Sequence, residues 1–544
     1  MKNIHGLLLV GCSAVALAGC GPSDIASPGT GGNVIINNPA PTPSPSPTPT
    51  PGAGNVVAAS SCPTITATTQ LKDDGVISGP TGSYRVCTLP RNIDRSSTLP
   101  KIAGLVYQMN GRVDVGCDGG FKAPTSAAAI TSSTVGCPTT ALPTTIVNGS
   151  GQLIADTNVT LTIDAGAILI GAPGASWLAV NRGNKINAVG TATNPIIFTS
   201  KDNVAGQVGE TSQGQWGGVV LMGRAPTTDC ATGSVASNTC ERPTEGSADP
   251  AVFGGTDSTY NAGRMSYVQI RYSGFILGSN VELQSLTGEG VGTGTVLDHI
   301  QSYNSSDDGS EWFGGSPNLK YYVSVGADDD SLDVDTGAQM NVQYALIVQR
   351  DGAGDALFEI DSNGFETDTP RTKLAVANFT AIQRQTSTNN ESNDQASGLF
   401  RGNSDTTLIN GIIFSPNNEC VRLNGTGTTP ATITARSVVL SCNAAKFLGS
   451  GSYTPAQTTT AFGSGANNNN DAFTSTLSSL FINGANETAV TATDPKATSS
   501  FFDTTTWIGA VRNATDTWYA GWTCNSAAAN LGATNTSCTS LPTT

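Results

Sequence analysis

The chain has 544 residues, with 26 lysines and arginines against 41 aspartates and glutamates, and a formal net charge of −15 at pH 7. This acidic balance argues against nucleic acid as a partner, because phosphate backbones are bound by basic surfaces. The 63 glycines and the low share of charged residues, 12%, favour many short strands and turns over helices.

The N-terminus has the pattern of an export signal. Lys2 supplies a positive charge, and the apolar run from Leu7 to Leu17 is too short to cross a bilayer. The segment Leu17-Ala18-Gly19-Cys20 resembles a bacterial lipoprotein signal peptide, residues 1–19. That resemblance implies cleavage before Cys20 and acylation of this cysteine, for example with palmitate; an ordinary secretory signal is the alternative. Gly21 favours the outer membrane, so we expect a lipid-anchored protein, displayed at the cell surface.

Residues 20–54 are predicted to form a tether. The run from Pro39 to Pro51 has proline at nearly every second position, and such a sequence prefers an extended polyproline conformation. At about 3.1 Å per residue, the tether could hold a folded domain up to roughly 100 Å from the membrane. The later sequence contains no apolar run of transmembrane length.

The cysteines support an oxidising compartment. Ten remain after Cys12 and Cys20, an even number with no CxxC spacing, so disulfides are favoured over zinc. Spacing does not determine the connectivity, but the cysteines fall into local couples. The expected pairs are Cys62–Cys87, Cys117–Cys137, Cys230–Cys240, Cys420–Cys442 and Cys524–Cys538.

A repeat of β-rich segments predicts an all-β solenoid. Strand-like runs begin at Leu297, Leu319 and Val342, at nearly equal intervals along the chain. A period in the low twenties with several strands per repeat is typical of a parallel β-helix, and it is not explained by a β-sandwich. The interval from Leu297 to Leu319 also separates Cys420 from Cys442 and would place these cysteines on adjacent coils.

We expect an N-terminal cap region over residues 55–150, a parallel β-helix over 151–450, and C-terminal coils and a cap over 451–544. Trp507, Trp518 and Trp522 are expected to cover the open C-terminal end of the solenoid, where strand edges would otherwise be unpaired.

The segment from Leu161 to Ser200 resembles secreted and surface-lipidated bacterial proteins of the pectin-lyase-like right-handed β-helix superfamily. Further matching blocks are Gln215–Arg224, Phe253–Gly255, Ser306–Phe313, Ala327–Asp335, Phe501–Phe502, Trp507–Ala510 and Tyr519–Thr523. The resemblance implies a right-handed parallel β-helix with capped ends. It implies no agreed activity, and no catalytic residue is transferred from it.

The most specific candidate site in the sequence is a set of regularly spaced acidic residues. Asp307, Asp329 and Asp351 follow one another at the interval of the strand repeat and are predicted to stack on one edge of the β-helix. Further acidic residues surround this ladder: Asp308, Asp328, Asp330, Asp333, Asp335, Asp355, Glu311, Glu359 and Asp361. Stacked carboxylates raise one another's pKa or hold a hard cation, and Ca²⁺ suits six to eight oxygen ligands. The predicted calcium ligands are Asp307, Asp308, Asp328, Asp329, Asp330 and Asp351; the alternative is that these residues only satisfy turn backbones.

Two functions remain open. The first is binding or display, in which the β-helix offers a surface to a polysaccharide, an envelope component or a partner protein. The second is a polysaccharide lyase or glycosidase, in which the ladder of Asp307, Asp329 and Asp351 acts with Lys320 or Arg350. His299, the single histidine after the signal, is expected to be packed or hydrogen-bonded. Five aromatic residues are expected in the core or over a sheet, with a sugar-stacking platform as the alternative: Trp216, Trp312, Tyr303, Tyr321 and Tyr322.

Overall fold

The runs that begin at Leu297, Leu319 and Val342 lie directly beside one another as parallel strands in the computed structural model of the protein. The structure describes residues 56–245, 251–278, 281–362, 367–387, 396–425 and 429–543. The predicted signal peptide, Cys20 and the proline-rich tether lie outside these residues.

The described elements are almost all strands. In chain order they are β1 (Lys72–Gly79), β2 (Gly82–Thr88), β3 (Asn92–Ile93), β4 (Ser97–Leu99), β5 (Leu105–Met109), β6 (Arg112–Val115), β7 (Thr160–Ile163), β8 (Ile168–Gly171), β9 (Trp177–Val180), β10 (Lys185–Val189), β11 (Ile196–Ser200), β12 (Val219–Met222), β13 (Arg242–Pro243), β14 (Val252–Phe253), β15 (Gly263–Arg271), β16 (Ile276–Gly278), β17 (Val281–Glu282), β18 (Leu286–Glu289), β19 (Val296–Tyr303), β20 (Ser310–Phe313), β21 (Asn318–Val325), β22 (Asp333–Asp335), β23 (Gln339–Val348), β24 (Phe358–Ile360), β25 (Thr372–Ile382), β26 (Gly398–Phe400), β27 (Ser404–Ser415), β28 (Val421–Asn424), β29 (Thr432–Cys442) and β30 (Phe447–Ser450). The helices are α1 (Lys201–Ala205), α2 (Pro455–Phe462) and α3 (Ala485–Thr488), with one 3-10 turn at Pro495–Ala497.

Two long sheets run the length of the molecule. Sheet A has the order β1-β2-β5-β8-β11-β15-β19-β21-β23-β25-β27-β29, and β4, β7 and β10 lead alongside into β15. Sheet B has the order β3-β6-β9-β12-β18-β20-β22-β24-β26-β28-β30. Apart from the β1–β2 hairpin, neighbouring strands within these sheets are parallel, and successive coils contribute one strand to each sheet. The fold is therefore the expected right-handed parallel β-helix.

The long strands of sheet A bend in the middle, which gives each coil three sides. Strands β10 and β11 pair with the first and second halves of β15, on either side of Tyr267. The residue at each bend has a positive φ; in order these are Tyr267, His299, Tyr321, Tyr344, Asn378, Asn410 and Ser437. Left-handed backbone is unfavourable for residues other than glycine, by roughly 1–2 kcal/mol. Contacts made by these side chains on the outside of the coils offset that penalty.

The interior of the coils is a continuous apolar core. Leu297, Leu319 and Val342 of sheet A and Trp312 and Val334 of sheet B belong to it and are fully buried or nearly so. Alternate residues of the same sheet B strands point outward, and these carry the acidic residues described below.

The β-helix extends further toward the N-terminus than the predicted boundary at residue 151. Strands β2 and β5 already belong to sheet A, and β3 and β6 belong to sheet B. The region predicted as a cap therefore supplies the first coils, and its non-repeating part is the segment between β6 and β7. No helix among the described residues combines the length and apolar character needed for a membrane crossing.

The C-terminal part of the chain corrects the prediction for Trp507, Trp518 and Trp522. The last coil is closed by α2, whose Phe462 packs against Phe447 with 5.3 Å between ring centroids. Residues 473–543, which we call the return segment, run back along the outside of sheet A. Its contacts progress from the late coils to the early ones: Asn410 Nδ2 donates to the Thr493 carbonyl at 2.8 Å, and Arg271 Nη1 donates to the Cys538 carbonyl at 2.9 Å.

The return segment covers an apolar outer surface of sheet A. Side chains of the second halves of the bent strands, including Tyr303, Val323 and Leu346, form one cluster with Phe481 and Trp522. The predicted end cap would have left this surface exposed, because only the inward-facing side chains of a coil are buried by the solenoid itself.

All five predicted cysteine pairs form disulfides: Cys62–Cys87, Cys117–Cys137, Cys230–Cys240, Cys420–Cys442 and Cys524–Cys538. The reason given for Cys420–Cys442 is wrong, however. Cys442 pairs in register with Ser415 of the preceding coil, and the Cys420 amide donates to the Lys446 carbonyl of the next. The two cysteines do not stack; the disulfide joins the end of β29 to the residue before β28, with 5.9 Å between Cα atoms.

Candidate metal centre

Acidic residues occupy four columns across successive coils at the start and outer face of sheet B. In the strands, the residues paired in register on three successive coils are Glu311, Asp333 and Glu359. Asp335 is paired in register with Phe313 of the coil before it. Four residues earlier, in the turns that lead into these strands, lie Asp307, Asp329 and Asp355, beside Asp308 and Asp330. The buried carboxyl groups of the cluster are Glu289, Asp307, Asp308, Glu311, Asp329, Asp330, Asp333, Asp335, Asp355, Glu359 and Asp361; we call them the acidic cluster.

Backbone hydrogen bonds hold the turn columns in place. The Asp355 amide donates to the Asp329 carbonyl at 3.0 Å, and the Gly309 amide donates to the Asp330 carbonyl at 2.8 Å. Side chains add to this: Asp308 Oδ1 accepts from the Asp330 amide at 2.8 Å. The turns that carry these carboxyl groups are therefore held in place by hydrogen bonds to the adjacent coils.

Several buried oxygens of the cluster have no hydrogen-bond donor. These include Asp329 Oδ1, Glu311 Oε1 and Asp333 Oδ1, on side chains that are at most 5% exposed. A buried acceptor without a donor is unfavourable by about 1–3 kcal/mol, and more when it is charged. Such oxygens are available as ligands of a cation.

Two groups of three carboxylates have the spacing of a metal site. Ligand oxygens of Asp307, Asp308 and Asp329 all lie within 4.8 Å of one another, and so do those of Asp308, Glu311 and Asp333. Ca²⁺ binds oxygen at 2.3–2.6 Å, so two of its ligands can be up to about 5 Å apart. The residues present fit a hard divalent cation, and Asp308 belongs to both groups.

Burial and mutual repulsion raise the pKa values of these groups. Burial, opposed in part by hydrogen bonds such as that from Gln284, raises the pKa of Asp307 to about 7. Burial raises the pKa of Glu289 to about 8. Burial, and then neighbouring carboxylates, raise the pKa values of six further members well above the usual range: Asp308, Glu311, Asp329, Asp330, Asp333 and Asp335.

Two acidic side chains and one amide side chain near the cluster were not predicted from the sequence. Glu245 and Glu282 are half-buried beside Asp307, and burial followed by the Asp307 charge raises their pKa values to about 8 and about 9. Gln284 Nε2 donates to Asp307 Oδ2 at 3.2 Å and also to Glu311 Oε2. These residues precede the regular coils of the repeat, so no constant spacing points to them. Glu289 was not predicted either. It is paired in register with Phe313 in the fourth column, so the spacing of the acidic residues gave only a weak signal for it.

Two of the predicted calcium ligands are placed differently from the other four. Asp351 is exposed and lies beside Arg350 and Glu210 at a surface pocket, away from the columns. Asp328 is at the edge of the cluster, where Arg350 Nη2 lies 3.7 Å from its Oδ1 and Gln213 donates to its carboxylate. The third position of the Asp307–Asp329 column is occupied by Asp355, because the coil after Asp329 is longer than the coil before it.

Positive charge next to the cluster is limited among the described residues. Arg401 Nη1 lies 2.9 Å from Glu359 Oε1 and 3.1 Å from Asp361 Oδ2. Arg242 is buried and forms an ion pair with Asp229, close enough to Asp335 and Glu289 to affect their pKa values. Arg112 also acts on Glu289, where its charge opposes the rise in pKa, so three guanidinium groups face eleven buried carboxyl groups.

The proposed catalytic bases do not join the acidic columns. Lys320 lies on β21 of sheet A, where its Nζ is 2.8 Å from Asp503 Oδ2 and 5.0 Å from the centre of the Phe501 ring. Arg350 lies beside Asp328 at the edge of the cluster and also donates to Gln213 and to the Gly326 carbonyl. A general base must be within hydrogen-bond reach of the proton it removes, and Lys320 is on a different sheet from the cluster.

Of the five aromatic residues considered in the sequence analysis, four are buried and one is half-buried. Trp216, Trp312, Tyr303 and Tyr322 are buried, as expected for structural residues. Tyr321 is half-buried on the outside of a bend, where it stacks on His299 at 4.3 Å between ring centroids. The prediction for His299 is confirmed: its ring is stacked, and its Nδ1 lies 2.8 Å from Asp298 Oδ1.

The parallel coils and the two continuous sheets define a parallel β-helix. Residues 141–523 match the family described as the pectate-lyase-like beta helix domain, and the chain belongs to this family. Neither a search of curated proteins nor a search of solved structures finds a match. Membership gives the fold and does not distinguish surface binding from catalysis.

Proposed function

We propose that the protein is a lipid-anchored cell-envelope protein whose β-helix holds calcium in the acidic cluster and presents its outer surface for binding a polysaccharide. The observation that carries the calcium part of the proposal is the set of buried carboxylate oxygens without donors at Asp329, Glu311 and Asp333. A site of this kind is stable at neutral pH when a cation neutralises it, since burying like charges at short range is strongly unfavourable.

Calcium supports the binding role by making the coils rigid. The two groups of three carboxylates draw ligands from consecutive coils, so a bound ion would join them in addition to the backbone ladder. A ligand that binds only the folded state at 100 times its Kd adds about 2.7 kcal/mol to the unfolding free energy. A rigid, elongated scaffold at the end of a tether suits the display of a binding surface to an extended polymer.

The anchor is proposed from the sequence alone. Cys20 follows the apolar run and precedes the proline-rich segment, an order that suits attachment to the outer membrane with the β-helix held away from it. Replacing Cys20 by Ala should move the protein from the membrane fraction to the soluble fraction, with acyl labelling lost. Retention in the membrane fraction without acylation would contradict the anchor.

The catalytic alternative has less support. A lyase or glycosidase needs a base or an acid pair that meets substrate, whereas Lys320 is paired with Asp503 on sheet A and Arg401 is held by two carboxylates. The carboxyl groups of the cluster are themselves buried. Loss of chain length in polygalacturonate or alginate, dependent on calcium and abolished by Asp329→Asn, would favour this alternative over binding.

Metal content tests the main proposal. We expect the full-length protein, purified in detergent and dialysed against millimolar calcium and then metal-free buffer, to retain at least one calcium per chain by atomic emission. Chelator should lower its Tm, and added calcium should restore it. A protein that retains no calcium and has the same Tm with and without chelator would overturn the calcium site.

A further inference from the structure

A second candidate site lies on the other side of the molecule, where the return segment crosses the stacked rings of sheet A. The rings of Tyr321 and Tyr344 are nearly parallel, with an interplanar angle of 13° and centroids 4.8 Å apart. Trp518 of the return segment packs on Tyr321 at 5.3 Å, and its Nε1 donates to the Ala510 carbonyl at 2.9 Å. The aromatic groups are thus held in fixed positions by both parts of the chain.

These rings line an open cavity of about 360 Å³. That size lies in the range of about 300–1,000 Å³ found for small-ligand sites. Its walls are the rings of Tyr321, Tyr344, Trp507 and Trp518 and polar residues of the loop that follows Val511.

Polar groups stand at the rim of the cavity. Arg512 is exposed, with its guanidinium carbon 5.3 Å from the centre of the Trp507 ring. The loop is fixed by its own hydrogen bonds, since Asp516 Oδ2 accepts from the Arg512 amide at 2.9 Å and Asn513 Oδ1 accepts from Thr515 Oγ1 at 2.7 Å. A few polar groups around rigid aromatic faces are the typical composition of a selective small-ligand site.

The other end of the same ring stack is closed. Tyr267 stacks on His299 at 4.1 Å, and Trp522 meets both rings edge-on at 6.0 and 5.5 Å. Core packing by the return segment therefore accounts for the covered rings. It does not account for the half-buried Tyr321, Trp507 and Trp518 that remain open to the cavity.

We propose that this cavity binds a pyranose unit of an uncharged polysaccharide. The C–H face of a sugar ring is apolar and flat enough to stack on an aromatic side chain, while its equatorial hydroxyl groups meet polar groups at the rim. The chain's net charge of −15, together with Asp516 beside the cavity and Asp503 beside Tyr344, disfavours a polyanionic polymer. This inference deepens the proposed function by naming the ligand class and its site.

Affinity electrophoresis of the full-length protein in detergent, in gels containing dextran, laminarin, mannan, xylan, polygalacturonate or alginate, tests the inference. We expect at least one of the four neutral polymers to retard the protein. Trp507→Ala should weaken that binding about tenfold or more, and Arg512→Ala, at an exposed side chain, should also weaken it. Phe121→Ala is the control and should bind like the wild type, because this half-buried aromatic ring lies outside both the return segment and the cavity.

Retardation by none of the neutral polymers would overturn the inference, as would retardation only by polygalacturonate or alginate. Equal binding by wild type, Trp507→Ala and Arg512→Ala would also overturn it. Calcium retention, measured on the same preparations, separates this failure from failure of the metal site, because the cavity and the acidic cluster lie on different sheets.

Discussion

The Asp355 amide donates a 3.0 Å hydrogen bond to the carbonyl oxygen of Asp329, so the two carboxyl groups occupy the same column on adjacent coils. Because Asp329 Oδ1 has no donor and Asp329 belongs to a three-carboxylate group with Asp307 and Asp308, it is a residue whose substitution tests the candidate site directly. Its role can be separated from general acidity by comparison with an exposed aspartate.

Asp329→Asn should remove most of the calcium effect on stability. The amide keeps the shape of the side chain but loses its charge and one anionic ligand, so we expect calcium affinity to fall about tenfold or more, which corresponds to about 1.4 kcal/mol. Titration calorimetry and the Tm difference between calcium and chelator measure the change. Asp351→Asn is the control, since Asp351 is exposed and outside the columns; equal effects of the two substitutions would contradict this assignment.

In chelator, stability should decrease as pH rises from about 4 to 9. Burial raises the pKa values of Asp307, Glu245, Glu289 and Glu282 to about 7, 8, 8 and 9, above the unfolded values near 4. The folded state therefore binds more protons than the unfolded state in this interval, and stability falls as these groups ionise. Calcium should remove much of this slope above pH 6. Denaturant unfolding at several pH values measures it; a flat profile in chelator would contradict the prediction.

Equal spacing in the sequence predicted the fold better than it predicted the site. The steps between Leu297, Leu319 and Val342 correspond to true register because those coils are similar in length. After β23 the turn is longer, and the step from Asp333 to its partner Glu359 exceeds the step from Glu311 to Asp333. Counting by the shorter step therefore selected Asp351 instead of Asp355. A turn can lengthen without disturbing the apolar pattern that defines the strands, so the pattern does not reveal it.

The return segment had no periodic signal at all. Its residues lie on the outside of coils that are already complete, and its contacts join positions far apart in sequence, such as Gln301 Oε1, which accepts from the Cys524 amide at 2.8 Å. Tryptophans near the C-terminus indicated a large apolar contact surface. They did not indicate whether that surface was the end or the side of the β-helix.

Asn410→Ala should destabilise the contact between the return segment and sheet A. Asn410 is buried at a bend with φ 53°, donates to the Thr493 carbonyl and accepts from the Thr493 amide, both at 2.8 Å. Alanine loses both hydrogen bonds and keeps the backbone strain, so we expect a decrease of about 2–3 kcal/mol in unfolding free energy. Asn410→Gly loses the same hydrogen bonds but relieves the backbone strain, so it should destabilise the protein less than Asn410→Ala does. Thr506→Ala, at an exposed position of the return segment, is the control; a loss no larger than the control's would contradict the role of Asn410.

Arg401→Gln should make the protein more dependent on calcium. The Arg401 guanidinium lies within 2.9 Å of Glu359 and 3.1 Å of Asp361, and both carboxyl groups are buried. Without that cation their charge adds to the repulsion within the acidic cluster, because one partner of a buried pair is then uncompensated. We expect a loss of about 3 kcal/mol or more in chelator and a smaller loss in calcium, which neutralises neighbouring carboxylates. Arg264→Gln, which removes an exposed arginine 3.5 Å from Asp298 on sheet A, is the control and should change stability by less than about 1 kcal/mol under both conditions. If Arg401→Gln were equally damaging with and without calcium, the arginine and the metal would not share the same electrostatic environment, and the calcium site would have to lie elsewhere than in these columns.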